Sequence, residues 1–146
     1  SSAWGLSMTV DELAREDPIA ATRKASIGEV ASLMADHMVG SVVIEEDRRP
    51  VGIVTDRDIT IKLTAEGRDP EHVTAEEVMS PDVVTIDRDA GLFDLVTLMA
   101  EHEVRRVPVV DGDDLYGIIT LDDVDRLLSD EQQKLAAVIE AESPPY

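Results

Sequence analysis

The chain states one pattern twice. Sliding it by 65 residues lays Arg23-Lys24-Ala25 on Arg88-Asp89-Ala90 and Leu33-Met34-Ala35-Asp36-His37 on Leu98-Met99-Ala100-Glu101-His102. The same slide lays Gly52-Ile53-Val54-Thr55 on Gly117-Ile118-Ile119-Thr120, and Asp58 on Asp123. No gap is needed between Pro18 and Ile59. A repeat of this kind is one structural unit used twice, here expected to pack about a pseudo-twofold axis, with any ligand in the seam. Each unit has roughly 60 residues, which is marginal alone, so the halves are expected to fold together.

Each half reads in the same order. A short lead-in (10–15 and 75–79) precedes a brief strand (18–22 and 83–87). A helix follows. Ser26-Ile27-Gly28-Glu29 has the S-x-x-E form of a capping box, and Ile27, Val30, Ala31 and Met34 recur at helical spacing, as do Leu92, Leu95, Val96 and Met99. Two strands come next, 41–45 with 51–54 around the turn 46–50, and 107–110 with 116–119 around Asp111-Gly112-Asp113-Asp114. Their β-branched, almost unbroken apolar runs predict burial on both faces. A second helix closes each half, over 56–65 and over 121 to about 139. The residues from 140 to 146, with two prolines, read as a flexible tail. Residues 1–7 match nothing in the second half and read as a non-native remnant ahead of Met8.

The β-α-β-β-α order, with the strings Gly-Ile-Val-Thr-Asp-Arg-Asp-Ile (52–59) and Val-Arg-Arg-Val-Pro-Val-Val-Asp (104–111), resembles a tandem pair of CBS (cystathionine β-synthase) domains. The resemblance covers residues 10 to about 135, with a first domain over 10–70 and a second over 75–135. It implies an α/β fold in which two such repeats pack into one module.

Thr55-Asp56-Arg57-Asp58 and Thr120-Leu121-Asp122-Asp123 each stand where a strand passes into a helix. T-x-x-D is itself a capping box, Thr at the N-cap and Asp at the third helical position. A helix N-terminus after a strand is also a good anion site. The resemblance implies that Asp58 and Asp123 accept hydrogen bonds from ribose hydroxyls and that Thr55 and Thr120 reach ribose or phosphate. A carboxylate's two oxygens suit the two donors of a cis-diol. The resemblance also implies crosswise clefts. One would combine Thr55, Arg57 and Asp58 with Val84, Thr85 and Arg105 or Arg106. The other would combine Thr120 and Asp123 with Ile19, Ala20, Gly40 and Ser41. Arg105-Arg106 face Gly40-Ser41 across the repeat, and Arg57 faces Asp122, so the first cleft is expected to be the better phosphate site. Arg23 and Lys24 are expected to be solvated, and His37 and His102 to favour helix C-termini.

Composition narrows the function. Aspartate and glutamate number 32 against 13 lysines and arginines, a net charge of −19, which argues against nucleic-acid binding. Lysines number three and arginines ten. Scarce lysine among dispersed carboxylates resembles the surface of a protein from a salt-adapted organism such as a halophilic archaeon, whose charge would be screened over about 3 Å in molar salt. There is no cysteine and no clustered histidine, so no metal site is expected. No nucleophile–base pair or Gly-rich phosphate loop is present, so an enzyme is not expected. No apolar run of about 20 residues predicts a membrane span, and no secretory signal is visible, so a cytoplasmic protein is expected. Through the resemblance, the expected role is a regulatory module that senses an adenine nucleotide (AMP, ADP or ATP) as a regulatory ligand, with no required cofactor. A sensor of S-adenosylmethionine or a cyclic dinucleotide is an alternative, and so is a ligand-free dimerisation scaffold. A homodimer is expected, with Leu127, Leu128, Leu135 and Val138 of the last helix contacting the partner copy or an unidentified effector protein.

Overall fold

The computed structural model describes residues 8–80 and 83–142. The remnant expected at 1–7 and the tail residues 143–146 lie outside them. The elements run α1 (Val10–Leu13), β1 (Arg15–Glu16), β2 (Ala20–Thr22), α2 (Ile27–His37), β3 (Ser41–Glu46), β4 (Arg49–Thr55), α3 (Asp56–Lys62), α4 (Ala75–Val78), β5 (Ile86–Asp87), α5 (Leu92–His102), β6 (Arg106–Asp111), β7 (Asp114–Thr120) and α6 (Leu121–Glu142). The sliding offset of the sequence is kept in space: α2 and α5, β3 and β6, and β4 and β7 begin and end at equivalent positions. The brief strands are shorter than the sequence predicts, and α6 runs three residues past its expected end, so 140–142 are helical rather than tail.

Local chemistry accounts for the elements. The Ser26 hydroxyl accepts from the Glu29 N–H and starts α2. Both α2 and α5 end on a residue in the left-handed region, Met38 (φ 53°) and Glu103 (φ 53°), with the next N–H bonded back to Met34 or Met99. His37 and His102 are the final helical residues, as the dipole favours. The β3–β4 turn takes positive φ at both Asp47 and Arg48, the hairpin geometry that matches strand twist. Its counterpart takes positive φ at Gly112.

The strands form two sheets, ordered β2-β3-β4 and β1-β7-β6-β5. β3 and β6 have both neighbours, and Val42, Val43 and Ile44, like Val107, Val109 and Val110, are buried. β4 and β7 instead alternate between buried and half-buried residues, so continuous burial holds for the inner strands and not for these two. Two points bring β4 and β7 together. The Leu115 N–H donates to the Arg48 carbonyl at 2.7 Å where both strands begin. Where both end, the Arg106 guanidinium approaches Gly40 and Asp56.

The lead-ins are exchanged. Val10 belongs to the core of the second repeat, with Leu92, Leu95, Met99, Val107, Ile119 and Val124, and Leu13 and Ala14 pack on its edge. Ala75, Val78 and Met79 belong to the core of the first, with Ile27, Val30, Ile44, Val54 and Leu63. The backbone bonds repeat the exchange: Val10 N–H to Ala90 at 2.7 Å, and Ala75 N–H to Ala25 at 2.8 Å. Each core is therefore completed by the other repeat, which gives the shared folding expected of two marginal units a structural cause.

Ion pairs fasten both lead-ins. Arg88 binds Asp11 at 3.1 Å and Asp111 at 3.4 Å, and lies 4.1 Å over the Tyr116 ring. The Tyr116 hydroxyl donates to Glu16 at 2.7 Å. The Thr9 hydroxyl, and then Arg88, hold the Asp11 carboxyl below its ordinary range. Arg23, expected to be solvated, is the counterpart of Arg88 and pairs with Glu46 at 3.3 Å and Glu76 at 3.9 Å. Lys24 also reaches Glu76, at 3.9 Å.

Candidate functional site

The two T-x-x-D motifs are capping boxes. The Asp58 N–H donates to the Thr55 hydroxyl at 3.1 Å, and the Thr55 N–H donates to Asp58 Oδ2 at 2.9 Å. The second motif repeats this, with the Asp123 N–H to the Thr120 hydroxyl at 3.3 Å and the Thr120 N–H to Asp123 Oδ2 at 3.0 Å. The cap occupies one carboxylate oxygen of each Asp. Oδ1 of each takes no part in the cap.

The two Oδ1 atoms differ. In Asp58 it faces the Lys62 ammonium at 3.6 Å, and the side chain keeps 21% exposure. The Lys62 ammonium also donates to the Val78 carbonyl at 2.8 Å. In Asp123, Oδ1 meets Arg15 Nη2 at 3.5 Å and also Arg126 Nη2, and the side chain is 4% exposed. The sequence reading missed Lys62, Arg15 and Arg126. The i,i+4 spacing of Lys62 and the i,i+3 spacing of Arg126 were readable as pairs on a helix face. Arg15 was not, because it arrives through the pairing of β1 with β7.

Strand register places the remaining residues. Ser41 pairs with Thr55, and the Asp56 N–H donates to the Gly40 carbonyl at 3.0 Å, so Gly40 and Ser41 sit beside the first motif. Arg106 pairs with Thr120, and the Leu121 N–H donates to the Arg105 carbonyl at 2.8 Å, so both arginines start beside the second. Arg105, Arg106, Thr120, Leu121 and Asp122 line a small hollow. Arg106 also crosses the seam. A Cβ on Gly40 would lie 3.3 Å from Arg106 Nη2 and 3.3 Å from Asp56 Oδ2. The bare glycine leaves that space to the guanidinium. Arg57 leaves the first turn of α3, where its N–H donates to Asp56 Oδ1 at 2.8 Å.

Ile19 packs on the first core, and its carbonyl accepts from the Val43 N–H at 3.0 Å. Ala20 opens β2 opposite Val43. Val84 and Thr85 lie half-buried just ahead of β5. Among the described residues, no hydrogen bond or ion pair ties Val84 or Thr85 to Thr55 or Asp58, or Ile19 or Ala20 to Thr120 or Asp123.

Charge pairing separates this end of the module from the rest. Nine of the thirteen cations are within 4.0 Å of a carboxylate: Arg15, Arg23, Lys24, Arg49, Lys62, Arg68, Arg88, Arg126 and Lys134. Among the described residues Arg48, Arg57, Arg105 and Arg106 have no such partner, and the last three stand around the two motifs. In a chain so rich in carboxylate, arginines left without one are available to an anion. Among the described residues no group of three or more His, Asp or Glu could hold a metal ion, and no helix is long and apolar enough to cross a membrane.

The CBS domain profile matches residues 10–64 and 75–130. An uncharacterized protein of Methanopyrus kandleri is 37% identical over 142 residues, covering 96% of this chain and 70% of that protein. The CBS domain-containing protein YhcV of Bacillus subtilis is 42% identical over 99 residues, covering 68% of this chain and 70% of YhcV. Among solved structures, the CBS domain pair of protein MJ0100 in complex with 5′-methylthioadenosine and S-adenosyl-L-methionine superposes with a TM-score of 0.76 at 29% identity, covering 85% of this chain and 98% of that one.

Proposed function

This chain belongs to the CBS domain family as a tandem pair, and on that premise we propose that it is a non-catalytic regulatory module that binds an adenosine-containing ligand. The observation that carries the reading is the trio Arg57, Arg105 and Arg106, without carboxylate partners in a chain of net charge −19, around two motifs that present Asp carboxylates. Asp58 Oδ1 would accept from a ribose hydroxyl, and the arginines would take phosphate where the ligand has one. The two ligands in the MJ0100 pair support the adenosine class. An adenine nucleotide suits the arginines better than an uncharged nucleoside does. Binding would favour one arrangement of the two sheets over another, because Arg106 spans them.

A thermal-shift series with AMP, ADP, ATP, S-adenosylmethionine and 5′-methylthioadenosine tests the reading. A ligand at 100 times its dissociation constant adds about 2.7 kcal/mol, near 8 °C at this chain length. No shift with any of the five would favour a scaffold that uses T-x-x-D only as caps. One observation favours a role in assembly alongside sensing. Leu121, Leu128 and Leu135 recur every seven residues on α6 and are exposed, as are Val138 on α6 and Phe93 on α5. Leu127, expected on that surface, instead packs on the second core. We propose that this face joins two copies. Sedimentation of Leu128→Glu/Leu135→Glu should show a monomer where the parent is a dimer.

A further inference from the structure

We propose that Arg15 and Arg126 form a latch over Asp123 that closes the second ribose position, so that the resting chain takes one adenosine ligand, at Asp58. The inference rests on the proposed function and specifies which half of the site is in use. Among the described residues Asp58 Oδ2 accepts from the Thr55 N–H alone, whereas Asp123 Oδ2 accepts from both the Thr120 N–H and the Thr120 hydroxyl, each at 3.0 Å, so a cis-diol there depends on Oδ1. On Asp123 that atom already accepts from two guanidinium groups, and the carboxylate is sealed beneath them. On Asp58 the same atom faces a single ammonium, itself shared with the Val78 carbonyl.

The latch belongs to one half only. Under the repeat, Arg15 falls on Ser80 and Arg126 falls on Ile61, so nothing equivalent can close over Asp58. It is also built to move. The side chains of Arg15 and Arg126 are 61% and 63% exposed, so either can swing into solvent while Asp123 stays buried in its cap. A guanidinium that leaves must find water, and a ribose that enters must replace two ion-paired donors with uncharged hydroxyl donors to the same carboxylate. Apparent affinity at Asp123 falls by the fraction of time the latch is open, so a latch open one-tenth of the time weakens binding ~10-fold.

Arg15 gives the latch a reach beyond the cleft. It lies on β1, whose two residues pair with Ile118 and Gly117 of β7 and continue directly from α1, the lead-in that completes the second core. Occupation of Asp123 would displace Arg15 and so bias the seating of β1. The ligand at the second position and the segment joining the two repeats are then coupled, each affecting the other.

Calorimetric titration of the full chain with AMP and with 5′-methylthioadenosine tests the latch. The expected result is one site per parent chain, abolished by Asp58→Ala. Arg15→Ala/Arg126→Ala should show a second site, or tighten one ~10-fold, and Asp123→Ala should remove it. Two equal sites in the parent, or one unchanged site in the double variant, would overturn the latch. A ligand-free arm separates it from the proposed function. Melting of Arg126→Ala, Asp123→Asn and the double variant should show effects that do not add, and additive effects would overturn the latch whatever binds. Binding of neither probe to parent or latch variant would overturn the proposed function and the gate together, while a non-additive cycle would then leave only a structural ion pair.

Discussion

Replacing Gly117 with alanine should unseat β1. Gly117 pairs with Glu16, and a Cβ built on it would lie 2.5 Å from the carbonyl oxygen of Arg15 and 3.3 Å from its carbonyl carbon. Non-bonded carbon contacts settle near 3.5–4.0 Å, so β1 must back away by about 1 Å. The obstacle is main chain, which cannot rotate aside as a side-chain end can. Overpacking of this kind costs about 1–3 kcal/mol, and each ladder hydrogen bond lost adds about 1 kcal/mol. We expect a loss of about 2–3 kcal/mol, or a fall of about 6–9 °C in Tm at roughly 3 °C per kcal/mol. Gly28→Ala is the control. Its Cβ would meet only the Glu71 carboxylate, with Oε1 at 2.0 Å and Cδ at 2.8 Å, and that flexible end can turn to solvent. Alanine inside α2 should then be neutral or gain up to about 1 kcal/mol. Both variants are read by thermal unfolding followed by circular dichroism. A Gly117→Ala protein melting within about 2 °C of its parent would refute the close approach of β1 and β7.

Two further variants test the packing and the exchanged lead-ins. Leu95→Ala empties a fully buried position on α5 and should cost about 2–5 kcal/mol in urea unfolding; a cost below 1 kcal/mol would contradict the second core. Asp11 has a folded pKa below its ordinary value, so it stabilises the fold at pH values above about 4 and that contribution disappears as pH falls through the folded pKa. Asp11→Asn should therefore melt lower than the parent at pH 7, by a gap that narrows as pH falls below about 4, and a gap that does not change with pH would contradict the pairing with Thr9 and Arg88.

What the sequence showed and what it hid divide by range. The α2 and α5 helices announced themselves through periodicity and the Ser26 cap, and β3 and β6 through unbroken apolar runs between turns. These are local signals. Their exits on Met38 and Glu103 carried none, since glycine is the usual residue there. The exchange of lead-ins was hidden because Val10 looks the same whichever core it enters. Within the site, Thr55, Asp58, Thr120 and Asp123 were legible through repetition. Their inequality was legible only in part. The sequence set Arg105-Arg106 against Gly40-Ser41, and the structure gives that mismatch a use, since bare Gly40 admits Arg106. It did not show that Asp123 is covered, because one covering residue comes from a two-residue strand more than a hundred positions away.

In the proposed site a ribose is held by the half-buried carboxylate of Asp58. The most direct measurement is calorimetric titration of AMP into the parent and Asp58→Ala, with melting curves confirming that the variant is folded. The parent should bind AMP, and the variant should bind it at least about 10-fold more weakly, since a hydrogen bond to a charged group contributes about 1.5–3 kcal/mol. Equal affinity in a folded variant would contradict it.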